Sequence, residues 1–171
     1  QALAGVPIVD AHERVAEILS AMPLPSTVVR PTGYFSDLGA MVEFANRGLV
    51  PLLNGGCQRI NPIHGADLAA VCVDTVEHPD GAVDVGGPEV LTFRAIADRA
   101  FAAVGRRPRY LYVPAWAPKA VATAIRPVAR YKADLARFFI ASGEIDHVAP
   151  SYGTRTIAPY FDTLAAALPR R

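Results

Sequence analysis

Residues 26–48 read STVVRPTGYFSDLGAMVEFANRG, and this stretch sets the fold class. Its β-branched run Ser26–Arg30 lies between two prolines, which is typical of a short buried strand. From Ser36 and Asp37 the apolar residues repeat at helical spacing until Gly48, where glycine tolerates the left-handed backbone that ends many helices. The stretch therefore predicts a strand followed by a helix, as in α/β sheet proteins.

The residues before this strand predict another helix. Asp10 and Glu13 have the spacing of a helix N-cap and its capping-box partner, and Pro23 follows the predicted end of the helix. Apolar residues recur on one face of this helix: Val15, Ile18, Leu19 and Met22.

The residues that follow predict a β-hairpin and then a third helix. Val50–Leu53 and Cys57–Ile63 flank an Asn-Gly-Gly sequence at 54–56, and Asn-Gly favours the tight turn of a hairpin. Asp67 is placed in the first turn of the third helix, where a carboxylate is favourable. The predicted buried stripe of that helix is Leu68, Val71, Cys72 and Val76.

The C-terminal part continues the alternation of strands and helices. Short strands are predicted at Val83–Val85 and Tyr110–Val113. Thr92 is predicted to cap a fourth helix that ends at Gly105. Its inner face is Phe93, Ile96, Ala97, Ala100, Phe101 and Val104. Two more helices are expected within Trp116–Ile140, which Pro118 and Pro127 interrupt, and a last one at about Ile157–Leu168.

This pattern predicts an α/β sheet covered on both faces, without a domain boundary inside the chain. The segment supplies few strands for such a sheet, so we expect the missing strands to lie before Gln1.

The composition narrows the class of function. The chain has 171 residues, 51% of them hydrophobic, and a net charge of +1, which predicts a globular protein without nucleic acid as a partner. Arg106, Arg107 and Arg109 form a small cluster that we expect at the surface. The two cysteines lack the spacing of a zinc site, and no apolar run reaches the roughly 20 residues of a membrane span. We predict no metal, no membrane span and a cytoplasmic location.

Two motifs of nicotinamide enzymes are missing from the sequence. No glycine-rich turn links a first strand to a first helix, where it would bind the cofactor pyrophosphate. A Tyr-x-x-x-Lys pair is also absent, because Ala115 and Val128 stand four residues before Lys119 and Lys132.

Five blocks, spread over nearly the whole chain, are informative in combination: Glu17–Leu19, Val28–Asp37, Ile60–Ala69, Val85–Pro88 and Pro150–Thr154. In residues and order they resemble the atypical short-chain dehydrogenase/reductase family, most closely the NmrA-like branch that includes divinyl chlorophyllide reductases. The resemblance implies the C-terminal part of a Rossmann-like doubly wound sheet with a small substrate-binding portion. The N-terminal nucleotide-binding half would then be missing. The resemblance also places Glu13 where other members have the lysine of the Tyr/Lys pair.

The resemblance further implies NAD or NADP as cofactor and a loop that lies beside the nicotinamide. That loop is Arg30, Pro31, Thr32, Gly33, Tyr34 and Phe35. The loop follows a strand end, where ligands of open α/β sheets bind. The alternative is that Pro31 merely ends a strand and Gly33 supplies a turn.

His64 and Tyr152 are the predicted substrate-binding residues. His64 follows a predicted strand end, where an imidazole can donate a hydrogen bond or transfer a proton. The alternatives are that His64 caps the following helix, and that Tyr152 and Tyr34 are packing residues with a hydrogen-bonded hydroxyl.

We therefore expect a segment of an NAD(P)-dependent reductase or dehydrogenase, inactive without a nucleotide-binding half. Trp116, Phe138 and Phe139 suggest a small apolar or ring-containing substrate, although these residues could equally be core. The alternatives are a non-catalytic NAD(P)-sensing or assembly protein of the NmrA-like kind and a truncated product without activity. Self-association is expected, since helices that cover only part of a sheet leave apolar surface exposed.

Overall fold

A computed structural model of the protein describes residues 5–77 and 81–169. Its helices and strands follow one another in this order: α1 Pro7–Ser20, β1 Thr27–Pro31, α2 Phe35–Leu38, α3 Ala40–Arg47, β2 Val50–Leu53, β3 Arg59–Ile60, α4 Gly65–Glu77, β4 Gly81–Val85, β5 Leu91–Thr92, α5 Phe93–Ala103, β6 Tyr110–Val113, α6 Trp116–Ile125, α7 Arg130–Ser142 and α8 Ile157–Ala167. Among the described residues, none of the helices is both long enough and apolar enough to cross a lipid bilayer.

The strands pair mainly in parallel, as the alternation of strands and helices predicts. β1 pairs with β4, and β2 pairs with β6, both in parallel. β3 and β5 form a short antiparallel pair. Parallel bridges from Ile60 to His147 and from Gly86 to Ser151 join the segment 147–151 to this arrangement. The α/β fold class is thereby confirmed.

The main core is organised around α5. Thr92 caps this helix as predicted, because its hydroxyl accepts the N–H of Ala95 at 3.1 Å. The inner face then packs against α3 and α8, and its fully buried members are Ile96, Ala97, Ala100 and Phe101. A helix with this spacing of apolar residues buries a continuous apolar stripe, and this burial is the main stabilising contribution of an amphipathic helix.

A smaller cluster lies between α4 and the β1–β4 pair. Ile63, Val71 and Val85 are buried there. The predicted stripe of α4 is only partly right, since Cys72 is exposed and Val76 is 81% exposed. Helical spacing correctly predicts which residues are buried near the start of α4. It does not predict that the end of the helix extends beyond the residues that cover its start.

The buried end of α4 is held by a carboxylate. Asp67, only 5% exposed, accepts the backbone N–H groups of Thr154 at 3.0 Å and Arg155 at 2.9 Å. It also forms an ion pair with the Arg155 guanidinium. Gly153 has a positive φ of 73° and lies so close to Asp67 that a Cβ would collide with it. Asp67 therefore fixes the segment 153–155 onto α4.

Asn61 connects three segments in the interior. It is fully buried, and its amide donates to the carbonyls of Gly87 at 3.2 Å and Ala149 at 2.8 Å. Its side-chain oxygen accepts the N–H of Ala149 at 3.1 Å. A Cβ at Gly86 would overlap the Asn61 amide, and a Cβ at Gly87 would overlap the Pro62 carbonyl. Glycine is required at both positions by this close approach.

Two predictions about local structure are wrong. The segments Val50–Leu53 and Cys57–Ile63 do not form a hairpin, because β2 pairs with β6 and β3 pairs with β5. Residues 54–56 do turn tightly, and Asn54 has the positive φ of 46° that Asn tolerates. The first helix begins at Pro7 rather than after Asp10, since proline is favourable in the first turn of a helix.

Candidate functional site

The loop Arg30–Phe35 contains the last two residues of β1, three connecting residues and the first residue of α2, and hydrogen bonds attach it to its neighbours. The N–H of Thr32 donates to the Val85 carbonyl at 2.9 Å, which continues the pairing of β1 with β4. The Thr32 hydroxyl donates to the Asn61 carbonyl at 2.6 Å. The Gly33 carbonyl accepts the N–H of Ile63 at 2.9 Å. These contacts fix the loop backbone on a rigid support, as a binding loop requires.

Residues of this loop line two adjacent cavities, except for Phe35, which is buried in the main core and lines neither. The larger is an open cleft of about 770 Å³ between α1, the end of β1 and the segment 146–150. The smaller is an apolar pocket of about 240 Å³ between α2, α3, β2 and α7. Thr32, Tyr34 and Phe138 line both cavities. The loop thus separates a wide cleft that contains charged groups from a small apolar pocket.

Charged groups of the cleft are arranged as ion pairs. Arg30 contacts Glu13 of α1 at 2.9 Å, with both side chains partly exposed. Asp146 contacts Arg59 at 2.8 Å. Hydrogen bonds from the Arg59 backbone N–H and then its side chain lower the pKa of Asp146. Asp146 is therefore an anion near neutral pH.

His147 is a cleft residue that the sequence did not single out. Its backbone belongs to the parallel bridge with β3, since its N–H donates to the Arg59 carbonyl at 2.7 Å. Burial lowers the pKa of His147, against the opposing effects of the Ser142 carbonyl and Asp146. The ring Nε2 is enclosed and has no hydrogen-bond partner among the described residues. His147 is thus a neutral imidazole in the wall of the cleft, with its Nε2 atom buried and unpaired among the described residues.

The smaller pocket is lined chiefly by hydrocarbon. Phe138 and Phe139 of α7 pack edge to face at 5.4 Å, and Met41 and Ile60 contribute further apolar surface. Asp37 is the carboxylate in its lining, and burial raises the pKa of this group. Such a surface favours an apolar ligand because water bound there has few hydrogen-bonding partners.

Tyr34 stands at the boundary between the cavities. Its side chain is 38% exposed. Burial, followed by the nearby Asp37 and Cys72, raises the pKa of the Tyr34 phenol above its ordinary value. Tyr34 therefore offers a neutral hydroxyl and an aromatic ring to a ligand in either cavity.

The structure does not bring His64 and Tyr152 into these two cavities. The Nδ1 atom of His64 accepts the N–H of Ala66 at 3.1 Å, so the imidazole caps α4. The same ring packs against Phe35 and Tyr160. Tyr152 packs against the cluster around Val85, and its N–H donates to the Gly86 carbonyl at 2.8 Å. A substrate-binding role for His64 and Tyr152 remains a prediction.

The described residues contain no group of three or more His, Cys, Asp or Glu side chains that could hold a metal ion. Cys57 and Cys72 are both free and exposed.

The chain is similar to plant reductases and also to the mitochondrial NADH dehydrogenase [ubiquinone] 1 alpha subcomplex subunit 9 of Arabidopsis thaliana, to which it is 27% identical over 61% of its length. No family model matches the chain. It is 29% identical over 175 residues to the chloroplastic divinyl chlorophyllide a 8-vinyl-reductase of Zea mays, covering 88% of this chain and 44% of the relative. It is 30% identical over 161 residues to the same enzyme of Oryza sativa subsp. indica, covering 80% of this chain and 40% of the relative. Both relatives are divinyl chlorophyllide reductases, the kind of protein to which the five sequence blocks pointed, and they confirm that resemblance. The chain spans less than half the length of these curated relatives.

The fold of this chain also matches a solved structure. A nucleoside-diphosphate-sugar epimerase from Staphylococcus aureus superimposes with a TM-score of 0.66 at 19% identity, over 88% of this chain and 56% of the epimerase. This likeness concerns the fold alone. It confirms the Rossmann-like α/β fold that the sequence predicted.

Proposed function

We propose that the chain is the C-terminal part of one NAD(P)-binding domain and works in an NAD(P)-dependent reductase or dehydrogenase. The plant relatives support the reaction class, because they are named as reductases. In this proposal the 171 residues supply the nicotinamide-side loop and the substrate-binding part. The pyrophosphate-binding turn is contributed by sequence outside them. The cytoplasmic location remains a prediction, and the plant relatives are named as chloroplastic.

The observation that carries the proposal is the position of the loop Arg30–Phe35 between the cleft and the apolar pocket. Hydride transfer requires the nicotinamide ring and the substrate to meet at close range. A loop shared by two neighbouring cavities provides such a meeting point. In this arrangement the nicotinamide lies in the cleft against Pro31 and Thr32, and the substrate enters the pocket beyond Tyr34.

The residues present fit the nicotinamide end of the cofactor. The cleft volume of about 770 Å³ is within the usual range of ligand sites, and it opens at the carboxyl end of β1, where open α/β sheets bind ligands. The bound cofactor supplies the hydride. The chain holds the ring against the fixed backbone of the loop and keeps water away with Tyr34 and Phe138.

The smaller pocket fits the apolar part of a substrate. Its volume of about 240 Å³ is below that of a typical drug-sized site, so it accepts one ring or a short hydrocarbon group rather than a whole large molecule. Phe138 and Phe139 line it, as the sequence suggested, whereas Trp116 lies outside and is 71% exposed.

The cofactor assignment is tested with the two halves of the cofactor separately. Saturation-transfer NMR on the 171-residue protein should detect reduced nicotinamide mononucleotide, which occupies the cleft. ADP-ribose should give no signal, because the sequence lacks the glycine-rich turn that binds pyrophosphate. Signal from ADP-ribose but not from the mononucleotide would refute the placement of the loop.

Gly33→Val locates the binding on the loop. A Cβ at Gly33 would stand 2.9 Å from the Ile60 Cδ1 atom, so a valine forces the loop toward the cleft or displaces Ile60 into the pocket. The signal from the mononucleotide should disappear while the thermal melt persists. Gly65→Val is the matched control, since a Cβ at Gly65 meets nothing within 4 Å. If Gly33→Val fails to fold, Tyr34→Ala provides a second test. Unchanged binding of the mononucleotide by Tyr34→Ala would argue against the site.

The second candidate is a protein that binds NAD(P) without turning it over. The ion pair between Glu13 and Arg30 favours it, because a paired glutamate stands where the resemblance places the catalytic lysine. Glu13→Lys separates the two candidates in a protein that also carries a glycine-rich nucleotide-binding half. Consumption of NAD(P)H with Glu13 in place supports the reductase. Binding without turnover, in both the original sequence and the lysine variant, supports the sensor.

A further inference from the structure

The hairpin of α6 and α7 is apolar but poorly covered. The helix α6 has the sequence WAPKAVATAI, with Lys119 as its single charged residue, yet Ala122 is its only buried residue. Trp116 is 71% exposed and Val121 is 60% exposed. α6 packs chiefly against α7. Most of its apolar surface therefore faces away from the described protein.

The connection between the two helices extends this apolar surface. Val128, in the connection, is 90% exposed, and Tyr131 in the first turn of α7 is 74% exposed. Single exposed apolar residues are common on any protein. A tryptophan, a tyrosine and two valines on one helical hairpin are a group, and exposed apolar groups of this kind usually mark an interaction site.

The same hairpin carries an excess of positive charge. Between Trp116 and Ser142 the sequence has five cationic residues and one carboxylate, whereas the net charge of the whole chain is only +1. The carboxylate, Asp134, is shared by Arg126 at 3.3 Å and Arg130 at 3.8 Å. Lys119 pairs with Glu144 at 2.7 Å. Lys132 and Arg137 have no ion pair within the described part of the chain.

We propose that the α6–α7 hairpin docks on the surface of an anionic lipid bilayer. Exposed valine, tyrosine and tryptophan side chains partition into the interface between headgroups and hydrocarbon, and lysine and arginine are attracted to anionic headgroups. A purely electrostatic contact with an acidic partner would use the cations but not Val128 and Tyr131 at the connected end of the hairpin, whereas a bilayer interface uses both. The combination of both features on one hairpin favours a bilayer as the occupant.

The hairpin also contributes to the apolar pocket through α7. Phe138 and Phe139 lie on α7, the helix whose first turn contains Tyr131, and they wall the pocket from the hairpin side. A bilayer-bound hairpin would hold the pocket near the source of an apolar substrate. This part of the inference rests on the proposed function, whereas the docking itself does not.

The docking is tested by sedimentation of the 171-residue protein with vesicles. One set contains phosphatidylcholine alone, and the other contains equal parts of phosphatidylcholine and phosphatidylglycerol. The protein should sediment with the anionic vesicles and remain in solution with the neutral ones. High salt should release it in part, because the screening length falls from about 10 Å at 0.1 M to about 3 Å at 1 M.

Two variants assign the binding to the hairpin. Lys132→Gln should weaken binding about fivefold, the usual effect of removing one cation near an anionic surface. Val128→Glu should weaken it about tenfold or more, because it removes an inserting apolar group and adds a repelled charge. Val76→Glu on α4 is the matched control, since Val76 is 81% exposed and far from the hairpin in sequence; it should bind like the original protein.

Absence of sedimentation with anionic vesicles overturns the proposal, as does equal loss of binding in Val76→Glu and Val128→Glu. Light scattering without lipid adds a separate outcome. A dimer that Val128→Glu dissociates would show that a second copy covers the hairpin, and this also overturns the proposal. None of these measurements involves the cofactor, so their failure leaves the mononucleotide-binding test of the proposed function intact.

Discussion

Removing the Asp67 carboxylate should destabilise the protein more than removing any exposed carboxylate. In Asp67→Ala, the N–H groups of Thr154 and Arg155 lose their buried acceptor. Hydrogen bonds to a charged acceptor contribute about 1.5–3 kcal/mol each. The Arg155 guanidinium adds less, about 1 kcal/mol at most, because that side chain is 53% exposed. Since water replaces part of what is lost, we expect a decrease of about 3–5 kcal/mol in the free energy of unfolding.

The same carboxylate should make the stability depend on pH. Burial alone would raise the pKa of Asp67, but the hydrogen bonds and charge of Arg155, with the N–H of Thr154, outweigh burial and lower it. A lowered pKa means that the stabilisation is fully present above the pKa of an unfolded aspartate, about 3.9, and is lost as the pH falls through the lower folded value. The difference in stability between the original protein and Asp67→Ala should therefore shrink below about pH 4.

Urea unfolding followed by circular dichroism at 25 °C measures both effects. Glu43→Ala is the control, because the Glu43–Arg47 pair is 3.6 Å apart and both side chains are more than 60% exposed. It should change the unfolding free energy by less than about 0.5 kcal/mol. Asp67 does not hold the segment 153–155 through its ionised carboxylate if Asp67→Ala lowers the unfolding free energy by less than about 1 kcal/mol at neutral pH. The same conclusion follows if the loss of unfolding free energy is unchanged at acid pH.

Three further predictions concern separate parts of the molecule. Thr92→Ala should lower the unfolding free energy by about 1 kcal/mol through loss of the cap on α5, and Thr92→Ser should restore most of it, as calorimetry can show. NMR titration of the His147 ring should give a midpoint below about 6.5, the pKa of an unperturbed histidine. The neutral ring then contributes to stability above about pH 6.5, and this contribution is lost as the pH falls through the lower pKa of the folded protein. A midpoint above about 6.5 would contradict the burial of Nε2. The protein should self-associate through α1, where Val15 and Ile18 are 55% and 53% exposed. Ile18→Glu should reduce the mass measured by light scattering, and an unchanged mass would show that α1 is not the contact.

Local patterns in the sequence predicted most of the helices and strands. The α5 cap and its inner face could be identified because helical periodicity and N-cap chemistry act within a few residues. The end of α3 at Gly48 is confirmed for the same reason, with a φ of 92°. Helices and strands that depend on residues close to them in the sequence were therefore predicted at nearly the right positions.

Pairing between distant segments was not predictable in the same way. The Asn-Gly-Gly turn was located correctly, but the partner of Val50–Leu53 is β6, which begins at Tyr110. Turn chemistry identifies a reversal of the chain and does not specify what the strand pairs with. The hairpin prediction failed because β2 pairs in parallel with the distant β6, and β3 pairs with β5.

The candidate site was predicted in part. The loop Arg30–Phe35 was identified from its sequence, and the structure places it at the wall of two cavities. His147 was missed because its burial depends on the pairing of its backbone with Arg59, a residue distant in the sequence. No local sequence pattern indicates that contact. A buried imidazole of this kind is recognisable only when the enclosing segments are known.

The arrangement around Asn61 has a consequence for how the sequence can vary. The Asn61 amide, Gly86 and Gly87 occupy one tightly packed space, and the amide carries the hydrogen bonds between three segments. A smaller residue at 61 leaves backbone groups unpaired, and any side chain at 86 or 87 displaces the backbone or the amide. In a library of random substitutions selected for folding, these three positions should behave as one unit, with single changes depleted and tolerated replacements at 61 appearing only with altered neighbours. This part of the protein should therefore diversify by jumps between compatible combinations, while the exposed face of α4 drifts one residue at a time.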